Sequence, residues 1–214
     1  MTLQVQVDQL IAQERVLLSD WRCDIKPGEI TTLMGPSGCG KSSLLQAITG
    51  LLPDDFKWQG VCTLNGQNLE GMPTHMRHIG LLFQEDRLFE HMTVRDNLWY
   101  ATPPSPAAQR REAVQKALCT IELEDIADSL PAQLSGGQRA RVALMRALVA
   151  QPKAVLLDEP FSALDKKLRE RVRRKVFELL RASDIPVLLV THDPQDIADK
   201  QAVIQWPDWE AHRV

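Results

Sequence analysis

One run of eight residues carries the most specific chemistry in the chain: Gly35-Pro36-Ser37-Gly38-Cys39-Gly40-Lys41-Ser42 follows the spacing G-x-x-x-x-G-K-[ST]. Glycines at this spacing let successive backbone N–H groups curl around phosphate oxygens. The lysine reaches the terminal phosphates of a nucleotide, and the adjacent hydroxyl of Ser42 is a ligand for Mg²⁺. Ser43 adds a second hydroxyl at the start of the helix that follows. That helix N-terminus brings positive partial charge to the anion. The plain alternative is a glycine turn that merely opens a helix. A chance match in a chain this long is on the order of one in a hundred. The apolar, β-branched run Ile30–Met34 just ahead completes a strand–loop–helix unit.

Asp158-Glu159 closes a second apolar run, Ala154-Val155-Leu156-Leu157. Carboxylates at the C-terminal end of a buried strand face the ligand crevice of an α/β sheet. Asp158 is placed to hold Mg²⁺ through water, and Glu159 to polarise an attacking water. An acidic pair in this position is ordinarily a turn; the phosphate-binding loop upstream reverses that weighting. Leu134-Ser135-Gly136-Gly137-Gln138 offers a hydroxyl, close backbone approach and a helix N-terminus to an anion. In isolation Ser-Gly-Gly is an ordinary capped helix start.

Taken in order, these segments resemble the nucleotide-binding subunits of ABC transporters, whose signature is the pentapeptide at 134–138. The resemblance covers about residues 3–205. Gln84, in Leu82-Phe83-Gln84-Glu85, resembles the family glutamine that contacts Mg²⁺ and the reacting water and senses the membrane partner. Ser162-Ala163-Leu164-Asp165 resembles the loop that crosses the dimer interface. His192, in Thr191-His192-Asp193, resembles the switch histidine that contacts the γ-phosphate; without the family context it reads as structural. The resemblance therefore implies catalytic roles for Glu159, His192 and Gln84. It implies nucleotide binding by Gly35 to Ser43 together with Ser135, Gly136, Gly137 and Gln138, and Mg²⁺ binding by Ser42, Gln84 and Asp158. ATP and Mg²⁺ are the implied cofactors.

The implied fold is α/β: a P-loop NTPase core with a mainly parallel sheet, an N-terminal antiparallel β subdomain and an inserted helical lobe. The whole chain, 1–214, reads as a single ABC ATPase domain. Its core spans 1–85 and 151–214, and the lobe about 86–150. The implied partners are a second copy across two ATP molecules, integral membrane permease subunits and a periplasmic or extracellular solute-binding protein, with no nucleic acid. The implied place is the cytoplasmic face of a bacterial inner membrane. Asp158-Glu159-Pro160-Phe161-Ser162-Ala163-Leu164-Asp165 resembles binding-protein-dependent importers; lipoprotein-release and macrolide exporters show Thr-Gly-Asn in place of Phe-Ser-Ala. Phe83-Gln84-Glu85 and Leu88 to Val94 look most like the thiamine-importer ATPase and related uncharacterised importers of proteobacteria. An exporter motor and a soluble ABC ATPase outside transport remain as alternatives. Lys41, Glu159 and His192 argue against a catalytically dead scaffold.

Two departures from the family stand out. Members usually place an aromatic ring against adenine some two dozen residues before the phosphate loop; the matching position here falls near Leu10–Ile11, with Trp21 as the rival. The chain also closes on Trp206-Pro207-Asp208-Trp209 rather than on the expected hairpin.

The remaining sequence must position these groups. Residues 3–7 and 21–25 predict strands, Lys41 to about Thr49 a helix, and about Gln138 to Ala150 another. Ala154–Asp158 and Pro186–Thr191 are continuous apolar runs, as in strands buried on both faces of a parallel sheet. The basic run from Lys166 to Lys175 predicts a solvated helix face. The apolar and aromatic residues between Phe83 and Tyr100 predict a lobe core, a groove for a membrane-subunit helix, or both. A net charge of −3 gives no electrostatic case for wrapping nucleic acid. The N-terminus alternates polar and apolar residues, so no signal peptide is expected, and no apolar stretch reaches bilayer-spanning length. The four cysteines lack metal-ligand spacing, and His75 and His78 lack companions that would make a metal site.

Overall fold

The computed structural model describes residues 1–207. Strands β1 (Leu3–Ala12) and β2 (Arg15–Ile25) form an antiparallel hairpin. Its two turn residues, Gln13 (φ 47°) and Glu14 (φ 69°), are both left-handed. A two-residue turn of this kind matches the right-handed twist of its strands. The sequence predicted shorter strands because the turn lacks the Asn-Gly or Asp-Gly that usually marks it. In β1, Leu3, Val5 and Val7 alternate inward, yet Leu10, of opposite parity, is fully buried with them. A register shift between Val7 and Gln9 against the neighbouring strand resolves the conflict: a bulge turns the following residues over.

The elements that follow, in chain order, are β3 (Ile30–Met34), α1 (Lys41–Thr49), β4 (Phe56–Leu64), β5 (Gln67–Asn68), β6 (Ile79–Leu82), α2 (Val94–Ala101), α3 (Ala107–Ile121), α4 (Gly136–Val149), β7 (Ala154–Asp158), α5 (Lys166–Ala182), β8 (Val187–Thr191) and β9 (Val203–Gln205). One sheet runs β2-β1-β4-β5 with antiparallel pairs. The other runs β6-β7-β8-β3-β9 with parallel pairs. This is the α/β arrangement the sequence implied. Among the described residues no helix is long and apolar enough to cross a membrane.

β3, β7 and β8 are buried at every position, so their side chains divide between two cores. Val155, Leu157, Val187 and Leu189 join α2–α5 on one face. Ala154, Leu156, Leu188 and Val190 join α1 and the antiparallel sheet on the other. Phe161, fully buried, meets Phe177 edge-to-face at 5.6 Å beneath the end of β7.

The basic run in α5 corrects one expectation. Only part of it is solvated. Arg169 and Arg173 pair with Asp196, which is fully buried, and Arg171 and Lys175 pair with Glu122. A purely local sequence pattern could not reveal acidic partners more than twenty residues away.

Candidate nucleotide site

The phosphate loop joins the end of β3 to the start of α1. Gly38 (φ 77°) and Gly40 (φ 115°) take left-handed conformations that side chains resist. A Cβ at Gly35 would lie 2.6 Å from Trp206 Cβ, and one at Gly40 would lie 3.1 Å from Leu17 and 3.3 Å from the Trp206 ring. The loop is thus walled from behind by residues far away in sequence. Trp206 is itself fixed, since its backbone N–H donates to the Met34 carbonyl at 2.6 Å. Lys41 is buried, and its Nζ donates to the carbonyls of Gly35 and Pro36, both at 2.7 Å. Carbonyl dipoles hold the ammonium at the loop's mouth while its formal charge remains available to an anion.

Asp158 ends β7 and Glu159 follows it. Burial pushes the Asp158 carboxyl up from the ordinary carboxylate range. The neighbouring Ser42 hydroxyl draws it back, the Glu159 charge raises it again, and Lys41 lowers it. Ser42 and Asp158 line one cavity, so a hydroxyl and a carboxylate face the same space. Mg²⁺ favours such hard oxygens and completes its shell with water and substrate phosphate. Glu159 is left-handed (φ 48°), a conformation that costs a non-glycine residue about 1–3 kcal/mol and recurs at functional sites. Its Oε2 accepts from the Thr191 hydroxyl at 3.0 Å. Its Oε1 accepts from the His192 backbone N–H at 3.0 Å and lies 2.7 Å from His192 Nδ1. β7 and β8 are neighbours, so their two ends bring Glu159 and His192 together.

Ser135 and Gln138 form a closed pair at the start of α4. The Ser135 N–H donates to Gln138 Oε1 at 2.7 Å, and the Gln138 N–H donates to Ser135 Oγ at 3.3 Å. A Cβ at Gly136 would meet open space, while one at Gly137 would press on the Ala163 carbonyl at 3.3 Å. The helix begins at Gly136, earlier than expected, because the capping box nucleates it there.

A family model described as ABC transporter matches residues 18–162. The chain belongs to the ABC transporter family. It is an ATP-binding, ATP-hydrolysing subunit, and its cofactors are ATP and Mg²⁺. It is 48% identical over 197 residues to an uncharacterised ABC transporter ATP-binding protein, YnjD, of Escherichia coli K12, covering 92% of this chain and 91% of that one. It is 41% identical to the sulfate/thiosulfate import ATP-binding protein CysA of Pseudomonas syringae, covering 87% of this chain and 59% of the relative. It is 42% identical to the spermidine/putrescine import ATP-binding protein PotA of Lawsonia intracellularis, covering 87% and 50%. The chain thus spans nearly all of the first relative, about three fifths of the second and half of the third. The solved dimer of the ATP-binding cassette MJ0796 bound to ADP and Pi matches with a TM-score of 0.81 at 29% identity, covering 96% of this chain and 94% of that one.

In this ABC ATPase several of the residues expected to bind nucleotide line a cavity of about 350 Å³. Ser37, Gly38 and Gly40 to Ser43 form its loop end, with Gln84, Asp158 and Glu159 beside them. Ala12, Leu17 and Phe56 form its apolar end. Neither residue expected near adenine, nor the rival Trp21, lines this cavity. Leu10 is sealed in the sheet, Trp21 is buried in the core, and Ile11 is not on the cavity wall. The one aromatic ring on its wall is Phe56, which pairs with Ala12 across β4 and β1.

The expected site residues are not all assembled. His192 stands off this cavity and is held by Glu159. Ser135, Gly137 and Gln138 line neither it nor the adjoining cleft of about 490 Å³, where Gly136 does contribute. Gln84 lines both spaces. Just beyond it, Asp86 and Glu90 pair with Arg139 of α4 at 2.7 and 2.6 Å. The buried Asn97 accepts from the Phe89 N–H and donates to the carbonyls of Phe89, Met92 and Thr93. The segment after Gln84 is therefore tied firmly to the helices. The apolar set there divides: Leu88, Val94 and Leu98 are core, whereas Tyr100 is exposed and packs edge-on to Phe89. Phe83, under the Arg87 guanidinium at 3.9 Å, lines the cleft.

Proposed function

We propose that this chain is the motor of a binding-protein-dependent importer, with Glu159 as the base that activates water against the γ-phosphate. The observation that carries the reading is one cavity bounded by the Lys41 loop, the Ser42–Asp158 oxygen pair and Glu159. Lys41 neutralises the β- and γ-phosphates. Ser42, Asp158 and Gln84 hold Mg²⁺, which polarises the phosphoryl group when bound. His192, now on Glu159, turns to the γ-phosphate. Glu159→Gln should bind ATP with little change and hydrolyse it at least about a hundredfold more slowly. Near-normal hydrolysis by that variant overturns the assignment.

The signature residues complete the reading. Ser135 to Gln138 lie off the phosphate cavity of their own chain, so they serve the site of a second copy across an isologous interface. In this proposal residues 1–214 act as one ATPase domain whose lobe, about 86–150, turns against the rest. The cleft beside Gln84 receives a helix of a membrane permease, and a solute-binding protein delivers cargo on the far side. The chain then works at the cytoplasmic face of the membrane. Import rather than export is supported by the Phe161-Ser162-Ala163 sequence and by the import proteins among the relatives. Reconstitution with the permease should compare thiamine, which residues 83–94 suggest, with sulfate, thiosulfate, spermidine and putrescine, for which relatives are named. ATP-driven efflux from the reconstituted vesicles would exclude the importer reading.

A further inference from the structure

We propose that Thr191 is a positioning residue for hydrolysis: its hydroxyl holds Glu159 at the cavity, and the Arg169–Asp196 ion pair keeps that hydroxyl's proton directed at Glu159. The inference rests on Glu159 being the base.

Thr191 is fully buried at the end of β8, between two carboxylates. Its Oγ1 lies 3.0 Å from Glu159 Oε2 and 3.4 Å from Asp196 Oδ2. A hydroxyl has one proton to donate. Its lone pair already accepts the Asp193 N–H at 3.1 Å, which fixes the rotor. Two acceptors therefore compete for a single proton, and the shorter contact, to Glu159, takes it.

Asp196 could win that competition if its charge were unmet. It is fully buried, and a buried carboxylate demands a partner. Arg169 supplies one bidentately, Nε to Oδ1 at 3.1 Å and Nη2 to Oδ2 at 2.5 Å. Arg173 adds a contact to Oδ1 at 3.4 Å. Oδ2, the oxygen facing Thr191, is thus the one Arg169 neutralises most closely. Arg169 also binds Asp193 at 2.9 Å, holding the residue whose N–H orients the hydroxyl. The arginine of α5 acts on Glu159 through these two aspartates without touching it.

The geometry matters because Glu159 occupies a strained backbone conformation. Oε1 is held by His192, and when His192 turns toward a nucleotide its ring contact is given up. Thr191 then remains, with the His192 backbone N–H, to keep the carboxylate aimed.

The test measures ATP turnover and, separately, ATP binding by nucleotide titration, with melting curves for each variant. Thr191→Val should lower kcat about tenfold, the effect of one hydrogen bond to a charged group, with KM and ATP affinity within about twofold. Thr191→Ser should stay near the parent. Placed in Glu159→Gln, Thr191→Val should cause no further loss, since its target is gone. Arg169→Gln should slow turnover, and adding Asp196→Asn should restore it. If the valine variant does not fold, Thr191→Ala against Thr191→Ser makes the same comparison. Unchanged kcat in Thr191→Val, or an equal loss in the Glu159→Gln background, overturns the proposal. A slow Arg169→Gln that Asp196→Asn fails to restore overturns the competition between carboxylates. A fully active Glu159→Gln sinks the base assignment and this inference together; an inactive Glu159→Gln beside a normal Thr191→Val sinks this inference alone.

Discussion

Two helices in this protein begin at glycine-rich turns, and they begin in opposite ways. Helix α1 starts from Gly40, in a left-handed conformation, with no side chain capping its first N–H groups. Helix α4 starts from Ser135, whose hydroxyl and partner Gln138 satisfy each other's backbone. The first four N–H groups of any helix need a partner. At α1 they are left for a ligand, behind a wall built by Leu17 and Trp206. At α4 the protein caps its own helix and leaves the exposed turn facing outward. In the proposed function the uncapped, walled helix start binds nucleotide within its own chain, whereas the self-capped, exposed one contributes only when another surface is brought to it.

The contrast breaks most severely at Lys41. Lys41→Ala removes the only lysine of the loop and should weaken ATP binding on the order of a thousandfold, judged from the charge-assisted hydrogen bonds lost. Equilibrium titration with labelled ATP checks this, while the melting temperature without nucleotide should change little.

Trp206→Ala attacks the wall instead of the loop. Removing a buried indole costs about 3 kcal/mol or more in unfolding free energy, read by urea denaturation. Because Trp206 backs Gly35 and Gly40, ATP affinity should fall with it. Loss of stability with unchanged affinity would show that the wall does not shape the loop.

Ser135→Arg tests the other helix. ATP binding by the single chain should be retained. Turnover should fall about a hundredfold, because a bulky charge faces the second copy where an anion contact is needed. Turnover of the parent should also rise faster than linearly with protein concentration. Strictly linear dependence, with a fully active Ser135→Arg, would mean that each chain's site is complete alone.

The smallest effect sharpens the base contact. Phe56→Ala should weaken ATP binding about tenfold, within the 1–3 kcal/mol that aromatic stacking on a base provides. Ile11→Tyr should give no gain, since position 11 is off the cavity wall. A gain there, with Phe56→Ala unchanged, would return the adenine contact to β1.

Much of this site was legible in the sequence because its chemistry is local. Gly35 to Ser43 must be contiguous for one loop to wrap phosphates. Asp158 and Glu159 must follow an apolar strand to reach the crevice, and the all-apolar runs at β7 and β8 mark strands covered on both faces. Signature, loop and carboxylates were each readable from a few adjacent residues, and the family followed from their order. Tertiary structure alone decided what stands behind and between them. Phe56 reaches the apolar end of the cavity through antiparallel pairing with Ala12, and Trp206 reaches the loop by extending β9 along β3. Thr191 meets Glu159 because β7 and β8 are neighbours in a sheet whose strand order differs from chain order. Asp196 turns part of a basic helix face into a buried ion pair. None of these contacts has a spacing in the chain. Each follows from which strands pair, in which register, and on which face their side chains emerge.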